Sequence, residues 1–382
     1  MPRFFEHLNI LAMPTDACNM NCAYCFHKQH CNNNGFMSMD TLKQLVSITL
    51  PFYKKVKFLW HGGEPMLMGL DFYRNALKLQ KGTTCRIENA IQTNLTLMTP
   101  EIAAFLCENK FGIGSSYDGI YNANLRGNDE AILRGRQMII EQGGKCSFIM
   151  VVSQYNIDSL IDSYKFFKEK HINFTFNLYI DSKDFENSTL KLREDETIRR
   201  IKEFFIYWAH DANCTIEVSY FRRILEFILF RKKTICTYTS CLGRWVGVRH
   251  DGEIVPCNRY FPTEYSFGNV FDYSNIGEAF ESEGFVNILS KAIDRRNKCK
   301  SCEIYDFCNG GCNHVAYNEN GIDSNGGASC RIRKEIYMYI EDFVDNAIAS
   351  QANDDTYNKK FSTMLYRARG KKNDIIFKRT AK

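Results

Sequence analysis

The 382-residue sequence contains no long apolar segment. No window approaches the roughly 18 uninterrupted apolar residues that a membrane-spanning helix requires. The opening MPRFFEHLNILAMP lacks an apolar core long enough for a signal peptide, and no low-complexity tract or obvious repeat follows it. We therefore expect a cytoplasmic protein without a membrane partner, built as two domains or as one large barrel with an appendage.

A strong excess of one charge is missing from most of the chain. The net charge is +5, but residues 351–382 hold nine Lys or Arg against three Asp, so this tail carries +6 and the rest of the chain −1. A tail of this kind is most often solvated, and the alternative is a dock for an acidic peptide or a nucleic acid. A nucleic-acid partner is not expected here.

Cysteine, in contrast, is abundant, with 16 residues. A reducing cytosol keeps thiols reduced, and clustered thiols there usually bind metal rather than form disulfides. Cys18, Cys22 and Cys25 lie within eight residues, and iron–sulfur clusters are held at such spacing because the ligands of a small cluster must converge. Three ligands leave one iron of a 4Fe–4S cluster without a nearby thiolate. Cys31, five residues further on, is the alternative fourth ligand.

Up to about residue 215, short apolar runs alternate with longer segments of helical period. The predicted strands are 8–13, 56–60, 88–92, 111–117, 147–152 and 174–179. Helices are predicted between them, several starting after a capping residue or Pro: Ser38, Thr99 with Pro100, and Asn156. This alternation predicts an α/β fold with a parallel sheet, open or as an incomplete barrel. Active sites of such folds lie at the carboxyl ends of the strands, and Cys18 follows the first strand.

The sequence changes character after about residue 231, where the alternation stops and cysteines become dense. We expect a first domain over residues 1–230 and a cysteine-rich domain over residues 231–349, in which metal clusters replace a large apolar core. A final helix is predicted from Arg333 to about Ala349. Residues 350–382 are predicted to form a basic tail.

The CxxxCxxC motif, followed by Phe26 and placed after the first strand, resembles that of the radical S-adenosylmethionine superfamily. The resemblance implies a partial (β/α)6 TIM barrel and an open iron that S-adenosylmethionine chelates through its amino and carboxylate groups. Gly62, Gly63, Glu64 and Pro65 follow the second strand and are similar to the glycine-rich turn whose backbone and Glu receive the cofactor's amino group. A plain turn is the alternative, although glycine suits close backbone approach to a ligand.

Other strand ends match further cofactor contacts of that superfamily. The resemblance implies contacts from Tyr24, Asn94, Ser116, Asp118 and Arg126. The guanidinium of Arg126 suits the cofactor carboxylate because it can donate two parallel hydrogen bonds. A simple turn is the alternative at Asp118, and a surface position is the alternative for Arg126.

The C-terminal region contains a second group of cysteines, arranged as C…GxxxxC…CxxCxxxxxCxxxC…C. Two zinc sites are one interpretation, because four-thiolate zinc also uses CxxC pairs. The spacing resembles instead the SPASM extension of radical S-adenosylmethionine enzymes, which carries two auxiliary 4Fe–4S clusters. The resemblance implies one cluster on Cys236, Cys241, Cys257 and Cys312, and another on Cys299, Cys302, Cys308 and Cys330.

Cys236 is the weakest of these ligands, because it lies outside the minimal seven-cysteine motif. Without it, the first auxiliary cluster has an open iron that can bind substrate. Among the remaining cysteines, Cys107 and Cys146 are expected in the core, since they lie in helical and strand patterns.

The resemblance also implies a chemistry. An electron from the first cluster splits S-adenosylmethionine into methionine and a 5′-deoxyadenosyl radical, which removes a hydrogen from the substrate. Three 4Fe–4S clusters and S-adenosylmethionine are the implied cofactors, with the auxiliary clusters accepting the electron left on the substrate. A flavodoxin- or ferredoxin-type protein is the implied electron donor.

SPASM enzymes act mostly on peptides and proteins, and two branches compete. Maturases of ribosomally made peptides install thioether or carbon–carbon crosslinks, whereas anaerobic sulfatase maturases oxidise Cys or Ser to formylglycine. In the second branch an Asp follows the GxxxxC cysteine and accepts a proton; this chain has Asn258 there, and an amide cannot serve as that base. We therefore predict a crosslinking peptide maturase. The sulfatase maturase, with Asp272 or Glu264 as the base, is the alternative.

Two further expectations complete the prediction. Arg259 and Tyr260 are interpreted as peptide contacts or as packing residues, and a separate leader-binding protein or the basic tail is expected to recognise the substrate. Deleting residues 351–382 is predicted to weaken peptide binding and to spare S-adenosylmethionine cleavage. A non-catalytic metal-binding scaffold, the alternative from another class, explains the C-terminal cysteines but not a CxxxCxxC motif and a GGEP turn at successive strand ends.

Overall fold

The computed structural model describes residues 6–27, 35–183, 187–259, 261–350 and 356–369. The chain divides into two compact units. The first contains the described residues of Met1–Tyr117, Asn122–Ser147 and Ser240–Asp294, and the second contains those of Asp118–Tyr121, Phe148–Thr239 and Arg295–Lys382. Each unit is therefore assembled from segments that are distant in sequence.

The strands of the described residues are β1 (His7–Thr15), β2 (Lys55–Gly62), β3 (Arg86–Gln92), β4 (Gly112–Ser116), β5 (Cys146–Val152), β6 (Phe174–Leu178), β7 (Trp245–Val248) and β8 (Ile254–Val255). The first six coincide with the six predicted strands to within two residues at most ends.

The helices of the described residues are α1 (Met39–Ser47), α2 (Gly69–Leu79), α3 (Pro100–Glu108), α4 (Asn122–Leu125), α5 (Asp129–Glu141), α6 (Leu160–Glu169), α7 (Glu194–His210), α8 (Ser219–Phe230), α9 (Glu283–Cys299), α10 (Tyr305–Cys308), α11 (Asn313–Glu319), α12 (Ala328–Ala349) and α13 (Lys359–Arg369). Helices therefore separate consecutive strands from β1 to β6, which confirms the predicted α/β fold class.

The sheet of the first unit follows the order β4-β3-β2-β1-β7-β8. Strands β1 to β4 are parallel to their neighbours, β7 adds to β1 in parallel, and β8 turns back antiparallel to β7. Burial alternates along β2, where Val56, Phe58 and Trp60 are fully buried and the residues between them are half-buried. This alternation follows from the two-residue period of a strand, and it places His61 on the less buried side.

Strands β5 and β6 pair in parallel. The second unit has an aromatic core, in which Phe174 of β6 stacks on Phe167 of α6 with ring centroids 4.4 Å apart. Phe205 and Trp208 of α7 pack against Phe221 of α8 at 5.2 and 5.5 Å. Large rings bury much apolar area each, so they supply much of this unit's stability.

Sequence reasoning located the caps of the early helices. The hydroxyl groups of Ser38 and Thr99 accept from the amides of Thr41 and Ile102, and Pro100 opens α3. Asn156 was predicted as a cap but differs: its side-chain oxygen accepts from the amide of Ser153, two residues beyond the end of the β5 core. The side chain therefore stabilises the turn rather than the helix end.

Three features differ from the sequence-based picture. Strands β7 and β8 lie in the region where strands were expected to stop. The final helix begins at Ala328 rather than Arg333 and so includes Cys330. Residues 359–369 of the expected solvated tail form α13, whose Phe361 and Leu365 are fully buried. None of the described helices is long and apolar enough to cross a membrane.

Candidate active site

The cysteine motif lies on the loop that leaves β1. Thr15, the last residue of β1, fixes the start of this loop: its hydroxyl donates to the carbonyl of Gly35 at 2.7 Å and accepts from the amide of Ala17 at 3.0 Å. A turn bond from the amide of Cys25 to the carbonyl of Cys22, 3.1 Å long, shapes the end of the motif. The thiols of this loop are half-buried, which leaves space for a ligand beside them.

The Gly62-Gly63 turn packs directly against the start of that loop. The amide of Gly63 donates to the carbonyl of Thr15 at 2.9 Å, and the amide of Glu64 donates to the carbonyl of Ala17 at 2.7 Å. Gly62 has a φ of +110°, and a Cβ on Gly63 would overlap the carbonyl of Ala17. Only glycine tolerates both conditions. The two sequence motifs therefore meet, and the glycines are required by the backbone itself.

Glu64 is almost completely buried, with 1% of its surface exposed. One carboxylate oxygen accepts from the amide of Met66 at 2.9 Å and from the hydroxyl of Thr93 at 2.6 Å, and the other accepts from the amide of Asn94 at 2.7 Å. Burial raises the pKa of Glu64, and these hydrogen bonds oppose that rise. A carboxylate offers about four acceptor positions, so one remains on the second oxygen for a cationic ligand.

Asn94 connects this carboxylate to the cysteine loop. Its side-chain amide donates to the Asn19 oxygen at 2.9 Å and lies 3.9 Å from the sulfur of Cys18. The hydroxyl of Tyr24 accepts from Arg126 at 2.9 Å. Four predicted contact residues, Tyr24, Glu64, Asn94 and Arg126, therefore lie around or beside the loop of Cys18, Cys22 and Cys25 within the first unit.

Two other predicted contact residues have different surroundings. Ser116 ends β4, and its hydroxyl accepts from the side chain of Gln92 at 3.3 Å. Asp118 is fully buried in the second unit and accepts from the amide of Val151 at 2.8 Å. Its printed contact is thus to the backbone of β5, as expected for a carboxylate that holds a strand end. Pro65 accepts from the hydroxyl of Tyr73 at 2.7 Å and opens the short helix that follows the turn.

A pair of neutral polar side chains, His61 and Asn258, lies between the glycine turn and Cys257. The His61 Nε2 atom is 3.5 Å from the Asn258 side-chain nitrogen, and His61 Nδ1 accepts from the amide of Gly62 at 2.7 Å. Burial, followed by the charge of Arg259, lowers the pKa of His61 to about 4. Because Nδ1 is an acceptor, the neutral ring carries its proton on Nε2, facing Asn258.

The loop after Cys25 completes this neighbourhood. The ring of His27 is 6.2 Å from that of His61, and the guanidinium of Arg259 lies 4.8 Å from the centre of the Phe26 ring. The amide of Arg259 is 3.3 Å from the sulfur of Cys257. Cation–π contacts of this kind are favourable, so Arg259 holds the Cys257 loop against the first cysteine motif within the first unit.

Asp16 lies behind His27. One oxygen is 3.2 Å from His250 Nε2, and the other is 4.0 Å from His27 Nδ1. Burial raises the pKa of Asp16, whereas His250 lowers it. Asp16, His27, His61 and His250 were missed by sequence reasoning. Only their positions beside Cys18, Cys25 and Gly62 hinted at a role, and the closeness of His250 required the fold.

The two carboxylates expected as substitute bases have other roles. Asp272 accepts from the amide of Asn269 at 2.7 Å and closes a capping box. Glu264 is exposed and lies 3.8 Å from Lys291. Neither contact leads toward Asn258. Cys31 and Tyr260 lie outside the residues that the structure describes.

The second unit brings four predicted ligands, Cys299, Cys302, Cys308 and Cys330, to one cavity of about 50 Å³. Gly310 and Gly311, both with positive φ, carry the chain over it. Burial raises the pKa of Cys330, and the neighbouring thiols of Cys308 and Cys302 raise it further. Several thiolates in one buried site repel each other, and bound iron relieves this repulsion.

Arg333 is the main cation beside this cavity. Its guanidinium donates to the sulfur of Cys308 at 3.3 Å. Burial disfavours its charge, but Cys308 and Tyr238 raise its pKa above the ordinary value. Hydrogen bonds to cluster sulfur tune the reduction potential of iron–sulfur sites, which fits an arginine placed here.

The other C-terminal cysteines are described unit by unit. Cys312 also lines the cavity of about 50 Å³, and Cys236 is exposed in the second unit, whereas Cys241 and Cys257 belong to the first unit and are half-buried. No disulfide joins the described cysteines. In the described part of the chain, no group of three or more His, Cys, Asp or Glu side chains is arranged to hold a single metal ion. As expected, Cys146 is buried, and Cys107 is half-buried.

Comparisons with known proteins agree with both motifs. The family model for the radical SAM superfamily matches residues 13–167. The SPASM model, described as an iron–sulfur cluster-binding domain, matches residues 236–303.

Several relatives match over nearly their whole length. A cysteine-type anaerobic sulfatase-maturating enzyme of Clostridium perfringens is 28% identical over 358 residues, covering 87% of this chain and 96% of that enzyme. A serine-type enzyme of Bacteroides thetaiotaomicron is 25% identical over 385 residues, covering 90% and 91%.

Solved structures give the same picture. The structure described as native anSMEcpe with bound AdoMet superposes with a TM-score of 0.81 at 26% identity, over 90% of this chain and all of that one. SuiB of Streptococcus suis, bound to its precursor peptide SuiA, has a TM-score of 0.62 at 19% identity, over 86% and 76%; this second likeness concerns the fold alone.

Proposed function

Because the chain is a radical S-adenosylmethionine enzyme with a SPASM domain, we propose that it oxidises a side chain of a protein or peptide substrate. The first candidate reaction converts a Cys or Ser residue to formylglycine. The observation that carries this proposal is the match to anaerobic sulfatase-maturating enzymes over nine-tenths or more of their length. The crosslinking reaction predicted from the sequence becomes the second candidate.

The residues of the first unit would divide the work as follows. Cys18, Cys22 and Cys25 would hold the catalytic 4Fe–4S cluster, which, with S-adenosylmethionine bound, supplies the 5′-deoxyadenosyl radical. Glu64 has one acceptor position left for an ammonium group, and the close-packed Gly62-Gly63 turn fixes that carboxylate. Preorganised groups of this kind need no rearrangement when the ligand arrives.

Cofactor contacts from Tyr24, Asn94 and Arg126 belong to the same proposal, because these side chains surround the cysteine loop. Ser116 and Asp118 remain predicted contacts that rest on the family resemblance. The printed bond of Asp118 to the amide of Val151 uses one of its oxygens. The other oxygen keeps acceptor positions of its own.

The second cysteine group would hold two auxiliary clusters. We assign Cys299, Cys302, Cys308 and Cys330 to one of them, because these four thiols line a single cavity. Cys236, Cys241, Cys257 and Cys312 are assigned to the other. Oxidation of a –CH2–OH or –CH2–SH group to an aldehyde removes two electrons and two protons, so the enzyme needs an electron acceptor as well as a proton acceptor. The auxiliary clusters fit the first role.

Asn258 favours the second candidate, a thioether or carbon–carbon crosslink. The position beside Cys257 holds an amide, and its neighbour His61 is neutral with its proton directed toward that amide. No described carboxylate has a printed contact with this pair. A reaction that removes the substrate proton with a carboxylate at this position is therefore disfavoured.

A direct product analysis separates the two candidates. The reconstituted enzyme is incubated without oxygen, with S-adenosylmethionine and dithionite, and with a sulfatase-derived peptide in its Cys form or its Ser form. An aldehyde captured by a hydrazide reagent, with 5′-deoxyadenosine formed in equal amount, supports formylglycine formation. A product that lacks two hydrogens but gives no hydrazone supports a crosslink. Unmodified peptide in every incubation, with 5′-deoxyadenosine still released, would contradict the first candidate.

A further inference from the structure

Helix α13 has two different faces. Phe361 and Leu365 are fully buried, and Phe361 packs on Phe343 of α12 with ring centroids 5.7 Å apart. Asn358 fixes the start of the helix: its side-chain oxygen accepts from the amide of Phe361 at 2.9 Å, and its side-chain nitrogen donates to the carbonyl of Trp208. The helix is therefore anchored on the second unit by its apolar face.

The opposite face of α13 forms one wall of a groove of about 550 Å³. Lys359, Lys360, Met364 and Arg367 come from this helix, and the other wall lies around the start of α8, with Glu217 and Arg222. The positions 359, 363 and 367 are four residues apart, so they follow one stripe of the helix. We call this groove the basic groove.

The charges of the two walls differ. Arg222 donates to Glu217 at 2.8 Å and to Glu226 at 2.7 Å, so that wall is internally balanced. Lys359, Lys360 and Arg367 have no carboxylate within 4.0 Å among the described residues, as the ion pairs of the second unit involve other side chains. The basic groove therefore has a positive wall that no protein group neutralises.

The sequence beyond α13 has the same sign. Residues 370–382 contain five Lys or Arg and one Asp. Charges of one sign along a groove attract oppositely charged ligands and raise their association rate. The partner that fits by charge is acidic.

We propose that the basic groove binds an acidic segment of the substrate polypeptide, outside the residue that reacts. The proposal rests on the proposed function insofar as the partner is that substrate. Helix α13 is about 16 Å long, which is the length of roughly five residues in an extended peptide. Met364 gives the groove an apolar contact between the cations, as acidic peptides with interspersed apolar residues require.

Nucleic acid fits this surface less well. Single strands are held by aromatic platforms on which bases stack, and Trp208, the aromatic residue that lines the groove, is only 1% exposed. A peptide anchored in the groove stays near the enzyme while its target residue searches for the active site, which raises the effective concentration of that residue.

The test measures binding by the reconstituted enzyme. The probe is a fluorescein-labelled ten-residue peptide of alternating Glu and Leu, followed by fluorescence anisotropy. The groove variant K359E/K360E/R367E keeps the buried face of α13 intact, unlike deletion of residues 351–382, which would remove Phe361 and Leu365. The matched control K78E/K81E/K145E makes the same charge change at exposed sites of the first unit.

We expect the groove variant to raise the dissociation constant at least about tenfold, and the control to change it less than about threefold. Wild-type binding should weaken from ~50 mM to ~500 mM salt, because exposed charges are screened. Equal loss in both variants, no binding by the wild type, or tighter binding of a thymidine decanucleotide than of the peptide would each overturn the proposal.

Unfolding temperatures of both variants, measured by circular dichroism, show whether the fold is retained. If the groove variant unfolds early, the milder Lys359→Gln/Lys360→Gln variant replaces it, with an expected loss of about threefold; unchanged binding by that variant would also overturn the proposal. The binding assay does not depend on the reaction product, so a failed groove and a failed formylglycine assignment give different results.

Discussion

The carbonyl oxygen of Ala17 accepts a hydrogen bond from the amide of Glu64 at 2.7 Å. This bond joins the segment just before Cys18 to the turn just after β2. It brings the CxxxCxxC motif and the GGEP motif, which are nearly 40 residues apart in the sequence, into one backbone arrangement. The cysteine loop therefore depends on the small size of Gly63.

The first prediction concerns Gly63. Replacing it with Ala places a methyl group on the carbonyl of Ala17, so the cysteine loop must shift. Displacement of about 1 Å can lower catalysis by about 100-fold, and we expect a loss of this order in 5′-deoxyadenosine formation. Gly112→Ala in β4 is the control, since its Cβ would meet Ala90 at 3.4 Å, an ordinary contact. Equal activity of the two variants would contradict this account.

The second prediction concerns the three cysteines of the first motif. Anaerobic reconstitution of the wild type should give about twelve irons per chain, and the C18A/C22A/C25A variant should retain about eight. The variant should form no 5′-deoxyadenosine after reduction, because only the first cluster is proposed to bind S-adenosylmethionine. Iron and sulfide analysis with product chromatography checks both numbers. Zinc in place of iron would show that the motif is structural.

The third prediction concerns Asn258. The N258D variant places a carboxylate next to His61, where it can accept a proton and also raise the pKa of that histidine. If formylglycine formation is the reaction, its rate should rise by on the order of 100-fold, the usual contribution of a positioned base. N346D, at an exposed position of α12, changes the net charge equally and should leave the rate unchanged. A crosslinked product whose yield is the same in N258D would favour the second candidate.

The fourth prediction concerns pH. Burial lowers the pKa of His61 to about 4 in the folded protein, from 6.5. Between these values the unfolded chain binds a proton that the folded chain does not, so the free energy of unfolding should fall as the pH falls from 6.5 toward 4. The contribution of one proton is at most ~1.4 kcal/mol per pH unit.

His61→Gln removes this contribution, and its neutral amide keeps a hydrogen-bonding group at the position. Urea unfolding of the wild type and of this variant should therefore show free energies of unfolding that diverge as the pH falls from about 6.5 to about 5, with the wild type losing more. Parallel curves would mean that His61 is accessible to protons in the folded state.

Much of the fold was predictable because its early elements carry strong local signals. Strands β1 to β6 contain short apolar runs, and Ser38 and Thr99 cap helices as expected, since each hydroxyl satisfies an unpaired amide at the helix start. Strands β7 and β8 were missed because they are four and two residues long. Pairing of β7 with β1 stabilises them, and such a long-range contact leaves little trace in local sequence.

The candidate site shows the same division. Cysteine spacing identified the thiols because ligands of one cluster must be close in sequence or placed by conserved turns. The contact between His61 and Asn258 joins residues 197 positions apart, and His250 approaches Asp16 from a similarly distant segment. No periodicity or spacing predicts such contacts. The packed helix α13 was missed because its charged stripe hides the apolar positions 361, 365 and 368.

The contact of Asn358 with the end of α7 has a consequence for how the protein is made. The carbonyls of Trp208 and Ala209 receive their donors from a residue about 150 positions later in the chain. Synthesis proceeds from the N-terminus, so α7 leaves the ribosome long before its partner exists. Loop closure over such a distance is slow. The second unit therefore completes its folding only after translation is nearly finished, and a stalled or prematurely ended chain would expose the aromatic core around Trp208.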